Sequence, residues 1–169
     1  MLAGLYARMP CLKDMLQLGN DGLNVEEQKS HFTLWAFINS PLLLGSDITN
    51  LDKDVVALLL NVEITALNQD SLGYPGRVTG SAAGTTLEEV WEKKLAGGAV
   101  AAVLFNKGDA SSTMTVDFAK HLNISASAVV TVRDLWQQSD VGKNVKAGSW
   151  SASVPPHGVV VLKVTPQPN

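Results

Sequence analysis

Three consecutive leucines, Leu42, Leu43 and Leu44, restrict the folds open to this 169-residue chain more than any other feature. In an extended segment they put apolar side chains on both faces. An antiparallel strand with one wetted face does not tolerate that, whereas a parallel strand covered on both sides requires it. Upstream, Phe32, Trp35 and Ala36, with Phe37 and Ile38 beside them, make a broad apolar face at helical spacing. Pro41 is read as the stop of that helix, because its ring lacks an amide hydrogen and forces Ser40 extended. Downstream, Gly45-Ser46-Asp47 ends the strand. Either Asn50 or Asp52 can then cap a second helix through Val55, Val56, Leu58, Leu59 and Leu60. Residues 31–70 thus read as helix, parallel strand, helix, with one more short helical piece over 62–68. Such a unit cannot stand alone, since its strand needs parallel neighbours and only residues around 12–18 offer one.

The rest of the chain is punctuated differently. Asn24 and Glu27 have capping-box spacing, so the first helix begins there, after the turn Gly19-Asn20-Asp21-Gly22. From about residue 74 the grammar changes. Gly, Ser and Thr cluster over 80–86 as a linker, and short apolar runs follow at 87–91, 99–105, 114–118, 129–135, 150–154 and 159–164. Met114, Val116 and Phe118 alternate onto one face. Gly97-Gly98 and Lys107-Gly108-Asp109 read as hairpin connections. Together these runs predict an antiparallel sandwich or barrel.

Several function classes are excluded at this level. A net charge of -3 with no basic stripe offers nothing to a nucleic acid backbone. No apolar run approaches the roughly 20 residues of a membrane-spanning helix. No Cys and His spacing suits a metal, and the glycines of 80–84 lack the Lys and Ser/Thr of a phosphate loop, so no cofactor is expected. The single Cys11 excludes an internal disulfide. Residues 1–10, broken by Arg8 and without a small-residue cleavage pattern, are not read as a signal peptide. Asn123-Ile124-Ser125 is a sequon, which makes Asn123 a candidate N-glycosylation site if the chain is secreted. His31 reads as a packed or surface helical residue. His121 and His157 fall in loops of the second half with no Ser or Cys partner, so neither suggests a triad. Asp47 stands either at the site face of a barrel strand or as a cap of the following turn, with the structural role favoured. Among the tryptophans, Trp150 sits in the setting best suited to surface contact with carbohydrate.

The residues also carry a resemblance. Asp14-Met15-Leu16, Gly19-Asn20, Gly22-Leu23, Ser30-His31-Phe32, Leu34-Trp35-Ala36, Ser40-Pro41-Leu42-Leu43, Asp47-Ile48 and Asn68-Gln69-Asp70-Ser71-Leu72-Gly73 resemble, in order and spacing, the melibiase-type α-galactosidases of glycoside hydrolase family 27. Glu89-Val90-Trp91, Ala102-Val103-Leu104-Phe105-Asn106-Lys107-Gly108 and Arg133-Asp134-Leu135-Trp136 resemble the C-terminal sandwich of its plant-like members. The resemblance covers about residues 14–165. It implies an α/β plus all-β chain, the last quarter of a (β/α)8 TIM barrel followed by an antiparallel β-sandwich. Residues 14–73 would supply the end of strand 7, helix 7, strand 8 and helix 8. Residues 74–169 would form the sandwich, and 1–13 an unmatched leader, where Pro10-Cys11-Leu12-Lys13 replaces the family's Trp-Asn-Asp-Pro.

The activity this resemblance implies is release of terminal α-linked galactose with retention of configuration, by a nucleophilic carboxylate and an acid/base carboxyl. The family motifs that carry them, Lys-Tyr-Asp or Lys-Leu-Asp and Arg-x-x-x-Asp, do not occur in this sequence, so no residue here inherits a catalytic role. Asp14 and Met15 stand where the family's Asp-Met lines the galactose pocket, which makes them substrate-binding candidates. The implied partners are an α-galactoside carbohydrate, with either a second copy of the chain or the missing N-terminal part of the barrel. Family members are usually secreted, vacuolar or lysosomal. The reading left beside this one is a non-catalytic β-sandwich that binds a partner or a carbohydrate.

Overall fold

The computed structural model describes residues 14–82 and 86–167. The leader over 1–13, with Cys11, lies outside the described residues, as does part of the linker over 80–86. Helix α1 (Val25–Phe37) starts as its sequence dictates. The Asn24 side chain accepts from the amides of Glu26 and Glu27 at 2.9 and 3.0 Å, and the Glu27 carboxylate accepts from the Asn24 amide at 2.9 Å. It ends before Pro41 can act. Asn39 takes a left-handed conformation (φ 57°), and the Ser40 amide bonds back to the Trp35 carbonyl at 2.9 Å, closing a Schellman turn. Helix α2 (Lys53–Leu59) follows Asp52, the second of the two predicted caps, although that side chain makes no capping bond. Helix α3 (Val62–Asn68) is capped by Asn61, which accepts from the Glu63 and Ile64 amides.

Between α1 and α2 the leucine segment makes one parallel bridge among the described residues, Leu16 with Leu44. The Leu16 amide donates to the Leu43 carbonyl at 2.7 Å, and the Gly45 amide to the Leu16 carbonyl at 2.8 Å. The expected cover on both faces is not found among the described residues, and Leu43 is 61% exposed.

Eight strands follow: β1 (Arg77–Gly80), β2 (Glu88–Lys94), β3 (Val100–Asn106), β4 (Ser112–Asp117), β5 (Val129–Asp134), β6 (Ser139–Lys146), β7 (Ser149–Val154) and β8 (Val159–Pro166). A short helix, α4 (Phe118–Leu122), sits after β4. Six strands form one antiparallel sheet in the order β1-β2-β3-β8-β5-β6, and β4 pairs with β7 in a second. All six predicted apolar runs contain strands. The hairpin reading holds for Gly97-Gly98, which joins β2 to β3. It fails for Lys107-Gly108-Asp109, where the chain crosses from one sheet to the other. Strands β1 and β6 carry few apolar residues because they are the two edges of the large sheet.

The large sheet is the middle layer. On one face Trp91, Ala101, Val103, Val159 and Val161 pack under Phe32, Trp35, Ala36 and Phe37 of α1 and Ile64 and Leu67 of α3. On the other, Val90, Ala102, Leu104, Leu162 and Val164 meet Met114, Val116 and Val154 of the small sheet and Phe118 and Leu122 of α4. Polar bonds fix the helical layer in register. Lys93, 1% exposed, reaches from β2 to the α1 C-terminus, where Nζ donates to the Phe37 carbonyl at 3.1 Å and to Asn39 Oδ1. Arg133 grips Glu63 through Nε and Nη2 at 2.8 and 2.6 Å, and Asn61 Nδ2 donates to the Leu135 carbonyl at 3.0 Å. Trp136 Nε1 donates to Thr33 Oγ1 at 3.0 Å.

Gly76 is where chain and helix approach most closely. Its amide donates to the Phe37 carbonyl at 2.7 Å, and a Cβ there would lie 2.1 Å from Phe37 Cδ1. Gly76→Ala is expected to destabilise the fold by about 1–3 kcal/mol through overpacking. Gly148→Ala, with nothing within 4 Å of the new carbon, should change stability by less than about 0.5 kcal/mol. Denaturant unfolding of the two variants beside the parent measures both.

Candidate functional site

The site candidates Asp14 and Met15 lie on the segment that carries the parallel bridge, and α1 holds that segment by three side chains spaced three and four residues apart on one helix face. Trp35 Nε1 donates to the Asp14 carbonyl at 2.9 Å. His31 Nε2 accepts from the Gln17 amide at 3.1 Å. Gln28 Oε1 accepts from the Gly19 amide at 3.1 Å while its Nε2 donates to the Leu23 carbonyl. Backbone groups of 14–19 that no sheet ladder takes are thereby satisfied. Both candidate side chains are left outward. Asp14 is exposed, its carboxylate accepting from the following amide of Met15 at 2.8 Å, and Met15 is 45% exposed. Gly45 completes the group: a Cβ on it would lie 3.0 Å from Met15 Cβ, a crowded contact that the lack of a side chain at residue 45 avoids. An exposed carboxylate beside a thioether can accept hydrogen bonds from hydroxyls and offer soft apolar contact.

The remaining candidates have structural roles. Asp47 accepts from the Thr49 amide and hydroxyl at 2.9 and 2.7 Å and from Asn50 Nδ2 at 2.8 Å, and these bonds lower its pKa. It caps the turn before α2, the reading the sequence favoured. His121 Nδ1 accepts from the Asp117 amide at 3.0 Å, and His157 Nε2 lies 3.0 Å from Asp109 Oδ1. Trp150 packs partly buried against the inter-sheet core. Asn123 is exposed at the end of α4. Among the described residues no group of three His, Cys, Asp or Glu side chains could hold a metal ion, and no helix is long and apolar enough to cross a membrane.

Sequence reasoning missed Gln28 and Gly45. The usable signal was the spacing of Gln28, His31 and Trp35, which puts an amide, an imidazole and an indole on one face of α1.

His31 is also a pH-sensitive tie. Burial lowers its pKa to about 4, against a smaller opposing effect of Asp14, and its ring packs on Trp35 with centroids 3.9 Å apart. The neutral ring accepts the Gln17 bond; the protonated ring cannot. The folded pKa lies below the unfolded value of about 6.5, so the unfolded state binds the proton first and stability falls as pH drops from about 6.5 towards 4. Unfolding midpoints across this range should show the loss, and His31→Gln should flatten that part of the profile.

The family model described as α-galactosidase A matches residues 10–70, and the one described as α-galactosidase C-terminal β-sandwich domain matches residues 85–164. The chain is 36% identical over 154 residues to α-galactosidase 3 of Arabidopsis thaliana, which covers 91% of this chain and 35% of that protein. It is 40% identical over 154 residues to the α-galactosidase of Coffea arabica, covering 91% of this chain and 39% of the relative. The crystal structure of α-galactosidase I from Mortierella vinacea superposes with a TM-score of 0.83 at 34% identity, over 90% of this chain and 38% of that one. The chain therefore spans between a third and two-fifths of the length of these relatives. With its helical segment matched to one α-galactosidase model and its antiparallel sheets to that family's C-terminal β-sandwich, the chain belongs to the melibiase-type α-galactosidases, glycoside hydrolase family 27.

Proposed function

We propose that this chain forms the C-terminal part of a glycoside hydrolase that releases terminal α-linked galactose with retention of configuration. In this reading residues 14–73 are the last quarter of a (β/α)8 barrel and residues 74–169 are the β-sandwich. The observation that carries it is the parallel pairing of Leu16 with Leu44, flanked by α1 and α2, at which Asp14 and Met15 stand exposed. Parallel pairing with helical crossovers is the local geometry of a barrel wall.

Retaining hydrolysis needs one carboxylate to attack the anomeric carbon and a second carboxyl to protonate the leaving oxygen and then deprotonate water. This sequence holds neither motif, so the chain contributes the wall and not the chemistry. Asp14 accepts hydrogen bonds from galactose hydroxyls, and Met15 lies against the apolar face of the sugar. The partner completing the site is the rest of the barrel, or a second copy of the chain pairing through the same edge. Exposed apolar side chains on and just after the leucine segment, Leu43 at 61% and Ile48 at 73%, support an edge that meets protein. The non-catalytic carbohydrate-binding reading gains nothing from Trp150, which packs partly buried against the inter-sheet core.

Hydrolysis of a chromogenic α-galactoside by the purified chain, with Asp14→Ala alongside, tests this division of labour. The chain alone is expected to give no rate above buffer. A rate that vanished in Asp14→Ala would overturn the reading, because it would place catalytic carboxylates within these residues.

A further inference from the structure

A cleft of about 590 Å³ opens between the turn joining β2 to β3 and the end of α4. Leu72, Leu95, Val100, Ile124 and Pro166 line it, and Asn123 stands in its wall. The volume falls within the range of roughly 300–1,000 Å³ at which pockets hold small ligands. The sequon sits here in a particular way. Asn123 is the C-cap of α4 in a left-handed conformation (φ 54°), with its backbone amide bonded to the Phe118 carbonyl. Ile124 is buried at 6%, while Asn123 and Ser125 on either side are exposed. The middle residue thus anchors the tripeptide to the core and leaves the Asn123 and Ser125 side chains outward. The Asn123 side-chain amide forms no hydrogen bond among the described residues, whereas the Ser125 hydroxyl lies 2.9 Å from that of Ser127.

We propose that Asn123 carries an N-linked glycan whose first sugar residues lie along this cleft. The donor is an oligosaccharide joined through its anomeric carbon to a lipid pyrophosphate. A bond forms from Asn123 Nδ2 to that carbon, the carbon–oxygen bond to the pyrophosphate breaks, the lipid diphosphate leaves, and the amide gives up one proton. The occupant of the cleft is fixed by covalent attachment, since the amide that bears it belongs to the cleft wall. The aliphatic faces of the pyranose rings meet Leu72 and Pro166, and the hydroxyls remain in water.

The test is translation of the full chain behind a secretory signal in the presence of microsomes, with Asn123→Gln and Ser125→Ala in parallel. Ser125→Ala leaves Asn123 and its helix cap intact, so loss of the glycan is separable from misfolding. A mobility shift of one glycan, removed by an amidase specific for N-glycans and absent from both variants, is expected. Hydrogen exchange over 95–100 and 122–128 should be slower in the glycosylated chain than in Ser125→Ala. No shift would overturn the site. A shift with identical exchange in the two proteins would overturn the seating of the sugars in the cleft.

Discussion

Strand β3 has no polar side chain between Val100 and Phe105, and the other elements of the molecule are arranged by that fact. Alternate residues of one strand point to opposite faces, so a wholly apolar run makes two apolar faces and both must be covered. The small sheet and α4 cover one face, as in an ordinary sandwich. The other face is closed by α1 and α3, which come from the part of the chain that also bears the parallel bridge. A sandwich of this sequence without its helices would put Trp91, Val103 and Val161 into water.

Apolar burial sets the layers but not their register. Directional bonds do that, and they come from residues with no obvious role in the sequence. Lys93 lies within a strand, yet its stem runs through the core and its ammonium group ends on the Phe37 carbonyl, one of those that α1 leaves without a partner inside the helix. A cation at that end also meets the negative pole of the helix dipole. Arg133 and Asn61 do the same work for α3. Each is an atom-to-atom contact between elements far apart in the chain.

Helix α1 has two jobs. Phe32, Ala36 and Phe37 pack it onto the sheet, while Gln28, His31 and Trp35 hold the backbone of 14–19. The exposed Asp14 and Met15 are therefore positioned by a helix that the sandwich positions. A disturbance of the sheet face under α1 reaches Asp14 and Met15 through the helix alone.

The amino-acid order by itself determined whatever depends on near neighbours or on burial averaged along a segment. The Asn24–Glu27 cap, the Asp47 turn, the three helices of the first half and the six apolar strand runs are all of this kind, because their partners lie within a few residues or are simply apolar. Resemblance in the order of short motifs also carried the family. Only the tertiary structure decided the rest. It ended α1 at Asn39 rather than at Pro41, sent Lys107-Gly108-Asp109 across to the second sheet, and made strands of the polar edges β1 and β6. It also turned Trp150 inward and gave His31 and Lys93 their bonds. In each case the deciding partner is distant in the chain, and neither composition nor periodicity records which distant group a side chain will meet.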